Sequence, residues 1–173
     1  KRCMRLFRRE NRNHTKNAST VNTAKFIRKF NKNMRQIGYN TNLAAEYYVL
    51  SMLYRKGFNA YLTLGNKKSV DILIEKDDGT IITVDVKGLA GKTCWPMDNF
   101  KKKNKRHFIV LVSFLNQIQN HEIMPECWIV PSAKVEKLFY INPKGNRQVI
   151  DRHTIIKKGG QYKNNWNLLY QPI

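Results

Sequence analysis

SVDILIEKDDGTIITVDVK, residues 69–87, holds two runs of aliphatic and β-branched residues joined through Lys76-Asp77-Asp78-Gly79. Such runs around a short Asp/Gly turn predict a β-hairpin, with Gly79 in the left-handed position of a three-residue loop Asp77-Asp78-Gly79. That loop sets the register by pairing Lys76 with Thr80 and Glu75 with Ile81. Side chains alternate across a strand, so the even positions Val70, Ile72, Ile74, Ile82, Val84 and Val86 make one dry face. The odd face carries Asp71, Leu73, Glu75, Ile81, Thr83, Asp85 and Lys87.

On this register Asp71 lies directly opposite Asp85. Opposed Cβ atoms are about 5 Å apart, and like charges there destabilise a sheet. Two carboxylates held together call for a cation or a shared proton. Oxygen donors from two carboxylates suit Mg²⁺ or Mn²⁺, which keep several waters and recruit substrate phosphates. Lys87 follows Asp85 by two residues and points to the same face, where an ammonium can orient water or stabilise charge at a phosphate. A bulge that shifts the register would instead leave the acids merely solvated.

Upstream, Asn40 or Thr41 caps an expected helix running to about Lys56, and Gly57 ends it. Leu43, Glu46, Leu50 and Leu53 share one stripe of that helix, so Glu46 is expected on the apolar side, where a carboxylate needs a partner. It either pairs with a nearby Lys such as Lys87 or faces the Asp71–Asp85 cluster. FNAYLTL (residues 58–64) predicts a further strand before the hairpin, and HFIVLVSF (107–114) a buried strand after it. WIV (128–130) predicts a short strand, and PSAKVEKLFY (131–140) a helix headed by Pro131 or Ser132. The polar remainder from Asn142 shows no ordering pattern. Gly88, Gly91 and Pro96 argue against a long helix in the interruption 88–106. The element pattern is that of a mixed α/β domain.

The 173 residues favour one domain with a short appendage, and 42 % hydrophobic residues suffice for a core. Thirty-two Lys+Arg against twelve Asp+Glu leave +20, so polyanions are the expected partners, nucleic acid first. Residues 1–35 hold twelve Lys/Arg and one acid, or +11, and residues 36–173 hold twenty and eleven, or +9. Residues 1–37 are read as a basic, partly helical arm, in which Arg28, Lys29 and Lys32 line a basic face opposite Phe26, Ile27, Phe30 and Met34. Residues 38–173 form the expected domain. No apolar run approaches the ~20 residues of a membrane span, so no membrane role is expected for the body. Three widely spaced cysteines, Cys3, Cys94 and Cys127, exclude a disulfide scaffold and point to a reducing, cytoplasmic location.

Helix-borne Glu46, Gly57-Phe58, the SVD ending at Asp71 and the DVK of Asp85–Lys87 together resemble the PD-(D/E)xK nuclease superfamily. The arrangement is similar to archaeal Holliday-junction resolvases and related restriction-endonuclease-like domains. It covers residues 40–88, with 107–114 as an extension. The resemblance implies an α/β fold with a restriction-endonuclease-like mixed β-sheet core flanked by helices, and metal-dependent phosphodiester hydrolysis with Mg²⁺ or Mn²⁺. It implies Asp71, Asp85 and the Val86 carbonyl as metal ligands, Lys87 as the catalytic lysine and Glu46 as the helix acid. A homodimer follows by analogy with the resolvases. Val70 stands where the family has Pro, and Asp85 where Glu is more frequent. In many relatives the segment corresponding to 88–106 carries a helix.

Trp95, ahead of the basic run Lys101, Lys102, Lys103, Lys105 and Arg106, is a candidate base-stacking residue, with the cations as phosphate contacts. A Trp packed under its own loop is the plainer alternative. Gly91-Lys92-Thr93 lacks the first glycine of a phosphate loop. His14, His107, His121 and His153 show no zinc spacing. Cys94 and Cys127 are expected as small hydrophobes. The expected function is a metal-dependent endonuclease acting on DNA ahead of RNA. The alternative is a catalytically silent nucleic-acid-binding module on the same fold, and a weaker third is an anionic-membrane or docking role for the arm.

Overall fold

Gly79 takes φ +74° and closes the hairpin turn, with its N–H on the Lys76 carbonyl (2.9 Å) and the Lys76 N–H on Thr80 (3.0 Å). The strands either side pair as their alternation requires, Glu75 with Ile81, Ile74 with Ile82, Leu73 with Thr83 and Ile72 with Val84. The computed structural model describes residues 40–63, 70–101, 105–141 and 147–170. The basic arm, including Arg28, Lys29 and Lys32, lies outside the described residues, as do Lys102 and Lys103.

Helix α1 covers residues 40–55, and Thr41, Ala45, Val49 and Leu53 form its buried stripe. It stops in a left-handed cap. Gly57 takes φ +79° and bonds the Tyr54 carbonyl (2.9 Å), while the Phe58 N–H reaches back to Leu53 (3.1 Å). Five strands then build the main sheet: β1 (Asn59–Leu62), β2 (Ile72–Glu75), β3 (Ile81–Leu89), β5 (His107–Ser113) and β6 (Glu126–Pro131). They stand in the order β1-β2-β3-β5-β6, antiparallel except where β5 runs parallel to β3. The crossover between these parallel strands carries β4 (Cys94–Pro96) in place of a helix. β4 joins β7 (Tyr140–Ile141) and β8 (Gln148–Asp151) in a second sheet of order β4-β8-β7.

The main sheet separates two apolar cores. Every residue of β5 is buried, and alternation sends Phe108, Val110 and Val112 to one side and Ile109 and Leu111 to the other. The first side is covered by α1 and by Trp166 and Leu169 of the last turn. The second is covered by Trp95 and Met97 around β4, by Ile150 of β8, and by two short helices, α2 (Ser132–Val135) and α3 (Arg152–Lys158). This is a mixed α/β architecture with a five-stranded mixed sheet flanked by helices, as the element pattern implies. Among the described residues no helix is long and apolar enough to cross a membrane.

Three expectations need correction. The WIV strand extends to six residues, and the helix expected over 131–140 is only four α-helical residues followed by a 3-10 turn, Glu136–Leu138. Val135 and Leu138 are the core residues of that stretch, too little apolar surface to hold a longer helix. The segment from Asn142 is not patternless in space. Asp151 caps α3 by accepting the His153 N–H (2.8 Å), and Ile150 and Ile155 fill the second core.

Candidate active site

The regular ladder between β2 and β3 ends at Ile72, and Asp71 departs from it. Its N–H donates to the Val84 carbonyl (2.9 Å), not across to Asp85, and its Oδ2 accepts the Val86 N–H (2.6 Å). The Asp71 carbonyl in turn accepts the Thr63 N–H (2.9 Å), and the Thr63 hydroxyl donates to Val70. The Asp71 backbone is thus fixed from both sides, and its carboxylate is docked on the edge of β3 at the peptide joining Asp85 to Val86. Its Oδ1 makes no hydrogen bond among the described residues.

Glu46, from the second turn of α1, completes a charged cluster with Asp71 and Lys87. Burial pushes the Glu46 carboxyl above the usual range, the Asp71 carboxylate pushes it further, and the Lys87 ammonium opposes both. Both charges thus act on the half-buried Glu46 carboxyl through space. Glu46 is half-buried and stands beside the buried stripe of α1, not within it, which corrects the sequence expectation. The placement depends on close packing of α1 against the end of β3. Gly88 lies so near that a Cβ there would meet the Thr41 carbonyl oxygen at 2.7 Å, and its N–H reaches the Asn42 side chain at 3.3 Å.

Asp85 is 6 % exposed and belongs to a more enclosed setting. Its Oδ2 is 3.9 Å from His107 Nε2, and His107 Nδ1 is 2.7 Å from the Thr83 hydroxyl. His107 is 1 % exposed and stands level with Thr83 in the parallel β3–β5 register. Sequence reasoning dismissed it as one of four scattered histidines. The available signal was its place at the head of a wholly apolar strand, where a buried imidazole needs polar neighbours. The Val86 side chain lies in the first core.

Trp95 does not fit the stacking role. It is fully buried in β4, donates its indole N–H to the Val112 carbonyl (3.1 Å) and packs edge-on to Trp128 with ring centroids 5.7 Å apart. A residue enclosed on all sides has no face for a base. Lys101, Lys105 and Arg106 are exposed on the connection leading into β5. Cys127 is buried, and burial pushes its thiol up to about 12, as befits a core residue and not a nucleophile.

Asp71 and Asp85 are hard oxygen donors of the kind that Mg²⁺ or Mn²⁺ take, with Asp71 on the Val86 N–H and Asp85 buried in the central strand β3 beside His107. Among the described residues no three His, Cys, Asp or Glu side chains converge as a ready-made cation cage.

No family model matches the sequence, and no curated protein matches it. Among solved structures the chain is similar to a bacterial homing endonuclease, I-Ssp6803I, with a TM-score of 0.44 and 13 % identity over 75 % of this chain and 90 % of that one. The functional reading rests on the residues of the site itself.

Proposed function

We propose that the chain is a metal-dependent nuclease of the PD-(D/E)xK type, an endonuclease that hydrolyses phosphodiester bonds in DNA. The observation that supports the reading is the Asp71 carboxylate seated on the Val86 N–H, one residue before Lys87 on β3, with Glu46 of α1 subject to the charge of both Asp71 and Lys87. Asp71, Asp85 and the Val86 carbonyl would hold Mg²⁺ or Mn²⁺, which supplies Lewis-acid polarisation of the phosphoryl group and eases deprotonation of water.

Lys87 acts on the phosphate directly. Its ammonium donates to a phosphoryl oxygen and stabilises the charge that builds there as water attacks phosphorus and the bond to one sugar oxygen breaks. Glu46 adds a carboxylate within electrostatic reach of that ammonium. The exposed Lys101, Lys105 and Arg106, with the rest of a chain of net charge +20, hold the polyanion.

The rival reading, a nucleic-acid-binding module without chemistry, draws on the lack of a three-ligand cage among the described residues. Incubation of linear, branched and single-stranded DNA with Mg²⁺ or Mn²⁺ separates the two. The wild type is expected to cut. Lys87→Ala should lower turnover by roughly 10²–10³-fold while DNA binding persists. Lys87→Arg should restore little, because a planar guanidinium does not replace a compact ammonium. A wild type that binds all three substrates and cuts none selects the rival.

A further inference from the structure

The connection between β5 and β6, residues 114–125, reads FLNQIQNHEIMP. In a chain with thirty-two Lys and Arg it contains neither. It is also held firmly. Leu115 and Asn116 both take left-handed backbone, φ 59° and 64°, a conformation that a leucine adopts only when its surroundings impose it. The restraints are visible. The Phe114 N–H bonds the Leu89 carbonyl (2.8 Å), the Asn116 N–H bonds Ala90 (2.7 Å), and the Ser113 hydroxyl bonds Gly91 (2.7 Å). Further along, Asn120 bonds Gln117 (2.9 Å) through its N–H and accepts the Glu122 N–H (3.1 Å) on its side chain. The result is a shallow concavity formed by residues 116–122 alone.

What this rigid loop presents is unusual for a +20 surface. Gln117 and Gln119 are exposed, and their amides take part in no hydrogen bond among the described residues. Ile118, Ile123 and Met124 are exposed beside them, at 39 %, 44 % and 55 %. Without Lys or Arg, and with Glu122 exposed, the loop has no strong electrostatic hold on a phosphate. Free carboxamides and apolar side chains are instead the groups that meet base edges in the major groove, an amide bidentate to adenine N6 and N7 and an aliphatic group against the thymine methyl. Its location fits. β3 and β5 end on the same edge of the sheet, and the loop is tied to Leu89 and Ala90, two and three residues past Lys87. At about 3.3 Å per residue its two anchor points lie roughly 7–10 Å along the chain from Lys87, about two to three base-pair steps of a duplex.

We propose that residues 114–125 form a base-reading loop that gives the nuclease a preference for A·T pairs about two to three steps or more from the bond it cuts, with Gln117 and Gln119 as the reading residues. The inference rests on the endonuclease reading above and adds the specificity element to it. The test is cleavage of a randomised DNA duplex library followed by sequencing, with wild type and the double variant Gln117→Ala/Gln119→Ala. Both side chains are exposed and unbonded, so folding should be unaffected, and matching thermal unfolding of the two proteins checks this. A single-residue variant, Ile118→Ser, repeats the test on the apolar contact.

The wild type is expected to favour A·T pairs at one to three positions. The double variant should lose roughly 5- to 100-fold of that discrimination. Ile118→Ser should weaken the choice of thymine alone. A double variant that keeps the wild-type preference, or a wild type that cuts without any A·T preference, overturns the inference and leaves the endonuclease reading intact. A wild type that cuts no DNA overturns both.

Discussion

Replacing Gly88 with alanine tests whether the packing of α1 on β3 builds the site. The added Cβ would sit 2.7 Å from the Thr41 carbonyl oxygen and 3.0 Å from the Ala45 Cβ. An ordinary C···O contact is about 3.3 Å, so the first turns of α1 must retreat by roughly 0.6 Å. Overpacking of this kind costs about 1–3 kcal/mol. Gly88 lies outside the left-handed region, so alanine carries no backbone strain there and by itself would stabilise by about 0.4–1 kcal/mol through the unfolded chain. Any net loss therefore reports the clash. In a chain of this size each kcal/mol shifts Tm by about 2–4 °C, so a fall of roughly 2–10 °C is expected by circular dichroism. Gly160→Ala is the control, since nothing lies within 4 Å of its added Cβ. Glu46 rides on the displaced turns, so Gly88→Ala should also cut turnover more than DNA binding. A Gly88→Ala protein as stable as Gly160→Ala would refute this account of how α1 is seated.

Glu46→Gln should gain stability relative to wild type as pH rises. The Glu46 carboxyl titrates above its unfolded value, so both proteins are equivalent below about pH 4, and above the folded pKa the wild type alone carries a disfavoured charge. Urea midpoints measured from pH 4 to 8 would contradict this if the difference stayed flat or reversed. Arg152→Ala should cost about 1–3 kcal/mol at pH 7, because Arg152 and Lys163 both bond the partly buried Glu126. Burial pushes Glu126 up, but the bonds from Lys163 and Arg152 outweigh it and hold the carboxyl low. The loss should therefore shrink as pH falls through that lowered pKa, and a pH-independent loss would mean that the charge is irrelevant. Deleting residues 1–35 removes a net +11 and should flatten the salt dependence of DNA binding, read as the slope of log K against log salt. An unchanged slope would make the arm a passive tail.

The sequence by itself determined what short-range rules govern. Alternation and the Asp-Asp-Gly turn specified the β2–β3 register through Ile72 and Val84, because a one-residue slip would bury the polar face. Gly57 stopped α1, and the apolar run from His107 announced a strand buried on both faces. Tertiary structure decided the rest. Extrapolating the ladder set Asp71 opposite Asp85, but the chain bends toward Thr63 and the Asp71 carboxylate takes the Val86 N–H, a choice that depends on β1 and not on the hairpin. His107 meets Thr83 and Asp85 only because β5 lies parallel to β3, and no local pattern fixes the register of strands joined by a long crossover. Trp95 reads as a loop aromatic beside cations, yet it is core, because β8 arrives from far along the chain to pair with β4 and close the second layer over it. Burial is set by what the rest of the chain brings to a residue, and that is written in no single stretch of sequence.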